Sequence, residues 1–118
     1  MVVVWSERAE NRLRNIYKYY FEIAGLRTAR KIVNTIIDAS DRLASHPNMG
    51  PVERYLGRMS LTYRSIVVHK NYKLLYRVED QVIHILSIFD CRQHPGRMRE
   101  DMEEDLSHGM LHEDFVGW

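Results

Sequence analysis

The hydrophobic residues of this chain change their period once, and that change limits the fold more than any other feature. Ala9, Leu13, Ile16, Tyr20 and Ala24 recur every three or four residues. Ala29, Ile32, Val33, Ile36, Ile37, Ser40, Leu43 and Ala44 repeat the pattern, which is the spacing of a helix with one buried face. Ser6 precedes the first run, where a hydroxyl caps a helix. Gly25 separates the runs, and Pro47 and Gly50 stop the second, which spans about residues 27–45. Two long helices with so short a link predict an antiparallel hairpin. From Tyr63 the period becomes two. Residues 63–68, 72–78 and 82–89 are rich in β-branched and aromatic side chains, and the separators His69-Lys70-Asn71 and Glu79-Asp80-Gln81 are short enough for hairpin turns. Val2–Trp5 adds a strand at the start. The order predicts an α+β domain: an N-terminal edge strand, an antiparallel helical hairpin over one sheet face, and a three-stranded antiparallel meander. Residues 97–106 predict a short C-terminal helix or tail.

A length of 118 residues allows one compact domain. Apolar residues at 45% and charged residues at 28% exclude a disordered chain. The single cysteine, Cys91, excludes an internal disulfide and suits a reducing cytoplasm; its expected place is small and at least half-buried. No apolar run approaches the roughly 20 residues that span a bilayer, and residues 1–5 meet Ser6-Glu7-Arg8 too soon for a signal peptide. A cytoplasmic domain with no membrane contact is expected. The six histidines lack the paired spacing of a zinc site. Scattered glycines exclude a P-loop and a dinucleotide fingerprint, and there is no serine nucleophile elbow. Neither a metal nor a cofactor is expected.

The net charge of +1 conceals a segregation. Residues 1–99 hold all 17 Lys and Arg but 9 of the 16 Asp and Glu, a surplus of eight positive charges. Residues 100–118 hold the other 7 acids and no Lys or Arg. A division into a basic domain, 1–99, and an acidic tail, 100–118, follows. The body suits nucleic acid or an acidic protein segment. The tail either solubilises the chain or folds back over the basic sheet, and Phe115 and Trp118 could dock on the body or on a second copy, as in a homodimer.

Alternation places Lys73 and Arg77 on the face opposite Tyr72, Leu74 and Tyr76. Arg64 opens the preceding strand and Arg92 follows the last. Antiparallel neighbours could bring Arg64, Lys73 and Arg92 into one patch for a phosphate backbone; the alternative is a charged coat on a one-sided sheet. His94 titrates near neutral pH and, beside Arg92, could take a proton from a ribose hydroxyl, or it is a surface residue in the turn before Pro95 and Gly96. Glu53 is a second candidate base. Tyr63, Tyr72 and Tyr76 fit core or rim positions.

The stretch Tyr63-Arg64-Ser65-Ile66-Val67-Val68-His69-Lys70-Asn71-Tyr72-Lys73-Leu74-Leu75-Tyr76-Arg77-Val78-Glu79-Asp80, with Ile85-Leu86-Ser87-Ile88-Phe89-Asp90-Cys91-Arg92-Gln93-His94-Pro95, resembles the RelE/ParE superfamily of toxins. Val4-Trp5-Ser6-Glu7 and the two-helix block ending at Pro47-Asn48-Met49-Gly50 fit as well, so the similarity covers about residues 2–99. The resemblance implies a toxin encoded beside a cognate antitoxin that wraps and neutralises it. ParE-like members poison DNA gyrase, whereas RelE-like and YoeB-like members cut messenger RNA on the ribosome. Against the RelE-like pattern, Arg64, Lys73 and Arg92 retain positive charge, but Ile66 stands where a second strand lysine would be and Met98 falls near a tyrosine position. Against the YoeB-like pattern, Glu53, Lys73 and His94 match a loop glutamate, a strand arginine and a terminal histidine, with Pro95 in place of tyrosine. The long helical hairpin is similar to ParE-like toxins. The resemblance therefore implies gyrase inhibition first. A metal-independent endoribonuclease, with His94 or Glu53 as base and Arg92 and Lys73 on the phosphate, comes second, and an inactive interaction module third.

Overall fold

The computed structural model describes residues 1–53, 62–93, 99, 100 and 103. The element order is β1 (Val2–Trp5), α1 (Glu7–Ala24), α2 (Leu26–Leu43), β2 (Arg64–His69), β3 (Tyr72–Glu79) and β4 (Val82–Asp90). Ser6 caps α1: its Oγ accepts from the Ala9 amide at 3.0 Å and donates to the Leu86 carbonyl at 2.8 Å, so one hydroxyl both starts the helix and ties it to β4. Glu7 and Glu10 in the first turn complement the helix dipole. Gly25, at φ 88°, ends α1 and begins α2 in a conformation that costs a side-chain-bearing residue energy. The chain thereby reverses within one residue, as the sequence predicts.

The sheet order is β1-β4-β3-β2. The meander is antiparallel as expected, and its two-residue turns include Asp80 and Gln81, both at positive φ. The expected edge strand β1 pairs in parallel with β4, Val2 opposite Val82 and Trp5 opposite Ile85, so the sheet as a whole is mixed. The hairpin comes between these two strands in sequence and packs on the sheet. Ala9, Ile16, Ile32, Ile36, Ala39 and Leu43 meet Leu74, Tyr76, Ile83, Ile85 and Ile88 in one core, with Trp5 and Leu13 at its margin.

The other sheet face corrects the picture of a one-sided sheet. Leu75 alternates with Leu74 and Tyr76, and Phe89 lies opposite Lys73, so the pleat turns both away from the helices. They are nevertheless 0% and 3% exposed. The run Leu74-Leu75-Tyr76 has no polar residue to break it, the pattern of a strand buried on both faces. Among the described residues no helix is long and apolar enough to cross a membrane. Arg99, Glu100 and Glu103 have helical backbone; the rest of the expected C-terminal helix or tail lies outside the described residues.

Candidate functional site

The loop after α2 is fixed from the sheet. The Tyr76 side chain is fully buried; its hydroxyl accepts from the Gly50 amide at 3.0 Å and donates to the Pro47 carbonyl at 2.8 Å. Burial raises the Tyr76 pKa above the ordinary phenol value, opposed by the Gly50 hydrogen bond. The Arg64 guanidinium donates to the Gly50 carbonyl at 2.8 Å. A Cβ on Gly50 would lie 2.6 Å from the Ser65 carbonyl oxygen and 2.7 Å from Ile66 Cγ2, so glycine is needed there for close approach. Two backbone bonds extend the clamp, from the Ser65 amide to the Pro51 carbonyl and from the Glu53 amide to the Tyr63 carbonyl.

That clamp delivers Glu53 to the sheet. Its Oε2 accepts from Ser65 Oγ at 2.9 Å and from Lys73 Nζ at 3.1 Å, with the carboxylate side chain 11% and the lysine side chain 33% exposed. Two of the expected site residues are thus brought together as an ion pair. Cys91 follows nearby in the turn after β4, its amide donating to the Asn71 carbonyl. It is exposed rather than half-buried, because β4 ends at Asp90 and the chain turns outward there. Partial burial of the thiol still raises its pKa; Lys73 opposes the shift and Asp90 and Glu53 add to it.

The remaining cations take partners elsewhere. Arg77, expected on a solvent face, has a side chain only 12% exposed and pairs with Glu79. Arg92 forms a two-pronged pair with Asp90, Nε to Oδ1 at 3.0 Å and Nη2 to Oδ2 at 2.8 Å. These bonds, Arg92 first, hold the Asp90 carboxyl below its ordinary pKa and raise that of Arg92. Arg92 and Asp90 line a groove of about 470 Å³ between α1 and the end of β4, with Arg12, Asn15, Tyr19 and Tyr72. Tyr72 is pushed above the ordinary phenol value by burial and by its hydrogen bond with Tyr20. His69 packs between the rings of Tyr20 and Tyr72, its buried Nδ1 without a hydrogen-bond partner among the described residues.

Arg64, Lys73 and Arg92 are therefore held on three different partners: a loop carbonyl, Glu53 and Asp90. His94 lies outside the described residues. Arg12 is a site residue that the sequence reading missed; its guanidinium donates to Ser87 Oγ at 2.6 Å. A signal was present, since Arg12 occupies the i+3 position between Ala9 and Leu13 on the buried stripe of α1.

The family model of the ParE toxin of type II toxin–antitoxin systems, parDE, matches residues 3–95. The chromosomal ParDE TA system from P. aeruginosa has a similar structure, with a TM-score of 0.65 and 24% identity over 76% of this chain and 95% of that one; the likeness carries the fold. No curated protein matches the chain.

Proposed function

The chain belongs to the ParE toxin family of type II toxin–antitoxin systems, and from that premise we propose that it is a growth-inhibiting toxin, neutralised by a cognate antitoxin, that acts in the cytoplasm by binding DNA gyrase. The observation that carries the choice of gyrase over RNA is that the candidate catalytic groups among the described residues are committed to partners within the fold. A base must be free to take a proton and its cations free to meet a phosphate. Glu53 instead accepts from both Lys73 and Ser65, and Arg92 is closed on Asp90 by two hydrogen bonds. Lysine at position 73 also offers a single ammonium where a guanidinium would grip a phosphate with two prongs. The pairing favours a toxin that works by occupying a macromolecular surface.

Brief expression of the chain in growing cells, with both nucleic acids followed, tests this reading. Expected are DNA breaks, induction of the DNA-damage response and intact messenger RNA, together with loss of supercoiling activity when purified protein is added to gyrase. Ribosome-bound messenger cut at discrete sites would overturn it in favour of an endoribonuclease with His94 or Glu53 as base and Lys73 and Arg92 on the phosphate. Co-expression of the protein encoded by the adjacent reading frame is expected to restore growth and to co-purify with the chain.

A further inference from the structure

The edge of the sheet at β2 carries a groove that the proposed function leaves unused. It has a volume of about 580 Å³ and combines apolar walls, Met49, Val52, Ile66 and Val67, with the cations Arg42 and Lys73. Val67 is 66% exposed, and Met49 and Val52 are each 45% exposed. β2 is an outer strand of the sheet, and on its open side the bridge from Val52 to Arg64 ends the pairing among the described residues. Glu53 and Lys73 at the groove offset each other as an ion pair, which leaves Arg42 as the surplus charge beside the apolar walls, so an apolar segment carrying acidic side chains is complementary to it.

We propose that the chain's own C-terminal segment, residues 104–118, docks in this groove and covers it. The segment has that composition. Glu104, Asp105, Glu113 and Asp114 alternate in groups with Leu106, Met110, Leu111, Phe115 and Trp118, with no Lys or Arg among them. It belongs to the acidic stretch that offsets the surplus of eight positive charges in residues 1–99. Its attachment is close: the chain leaves β4 at Cys91, whose amide donates to the Asn71 carbonyl two residues before Lys73, and Lys73 itself lies opposite Phe89 of β4. The ten residues between Gln93 and Glu104 reach up to about 33 Å when extended, ample for a groove beside the exit. The family match ends at residue 95, so the segment lies outside the matched residues. The docking sets this chain's tail in competition with any acidic partner segment for the same edge. It does not depend on which macromolecule the toxin meets, so gyrase binding can fail while the docking holds.

Trp118 reports the docking directly. Its emission in the full chain is isolated as the difference between the parent and W118F, and its quenching by acrylamide is compared with that of the free peptide 104–118. Expected is a blue-shifted emission quenched several-fold less than in the peptide at an ionic strength of about 0.1 M. Protection should decline toward about 1 M, where the screening length falls from about 10 to about 3 Å. The double variant R42E/V67E, checked for folding by circular dichroism, should return Trp118 to the peptide's behaviour. The tail variant E113Q/D114N/F115A on an unaltered body should do the same. Trp118 as quenchable as in the peptide, or protected equally in the parent and in these variants, overturns the proposal. Protection that rises with protein concentration alongside a dimer in sedimentation overturns it too, and assigns the groove to a second copy.

Discussion

Glu53–Lys73 and Asp90–Arg92 join the same kinds of charge, but the first pair spans 20 residues of sequence and the second spans two. Asp90 and Arg92 need only the turn that ends β4: the carboxylate accepts from the Arg92 amide as well as from its guanidinium. Glu53 needs a folded loop. Its place depends on Tyr76 holding Pro47 and Gly50, on Arg64 holding the Gly50 carbonyl, and on backbone bonds to Tyr63 and Ser65. A local pair survives damage at a distance, whereas a pair assembled through a clamp inherits the stability of every bond in it. The two pairs therefore report on different things, one on a turn and the other on the tertiary fold.

The strongest way to separate them is Gly50→Ala. The new methyl would overlap the Ser65 carbonyl and Ile66 Cγ2, and the carbonyl is backbone that cannot rotate aside. A loss of about 1–3 kcal/mol is expected, read as a lowered midpoint of urea unfolding. Nuclear magnetic resonance should show shifted amides at Glu53, Ser65 and Lys73 and unmoved ones at Asp90 and Arg92. Equal disturbance at both pairs would remove the distinction. Tyr76→Phe attacks the same clamp more gently. It keeps the ring in the core and leaves the Gly50 amide and Pro47 carbonyl without the hydroxyl, a loss of about 1–2 kcal/mol, again with the Glu53 signals moving first.

How far each pair could be seen in the sequence follows from the same contrast. The helices, the glycine break and the meander are written in local periodicity, and they fold as that periodicity predicts. The parallel pairing of β1 with β4 joins residues 80 positions apart, and no local pattern specifies it. Glu53 and Lys73 stood out separately as charged residues, yet nothing local shows that Tyr76, an apparent core residue, is the post on which the Glu53 loop hangs. Arg64, Lys73 and Arg92 were legible as cations on or near a sheet. Their division among three partners was not, because it depends on where a carbonyl and two carboxylates arrive in the folded chain. Leu75 shows how a local rule misleads: alternation places it correctly on the outer face, and composition alone cannot say that this face is covered there.

Lys73→Met tests the Glu53 pair itself. The apolar stem is retained and the ammonium removed, leaving the mostly buried carboxylate with Ser65 as its remaining partner of the two. A loss of about 1 kcal/mol is expected in urea unfolding. Adding Glu53→Gln should recover part of it, because the mostly buried carboxylate charge is then gone. If the double variant is as unstable as the sum of the two single ones, Lys73 and Glu53 are not coupled.

Asp90→Asn should have the smallest effect, one present at neutral pH that fades in acid. Hydrogen bonds from Arg92 hold the Asp90 carboxyl below its ordinary value, so on acidification the native chain takes up this proton later than the unfolded chain. The stability gained is fully present above the unfolded carboxyl's value of about 3.9 and is lost as pH falls through the lower native value. Asparagine carries no such proton. Thermal unfolding of the variant should therefore lie slightly below the parent at neutral pH, by a small amount because solvent screens an exposed pair, and should fall less steeply and converge on the parent below about pH 4. The Glu53 signals should not move in this variant, since the bonds described for its clamp run to Tyr76, Arg64, Tyr63, Ser65 and Lys73 and not to the Asp90 turn. An acid limb identical to that of the parent would mean that the two hydrogen bonds to Arg92 contribute nothing to folding.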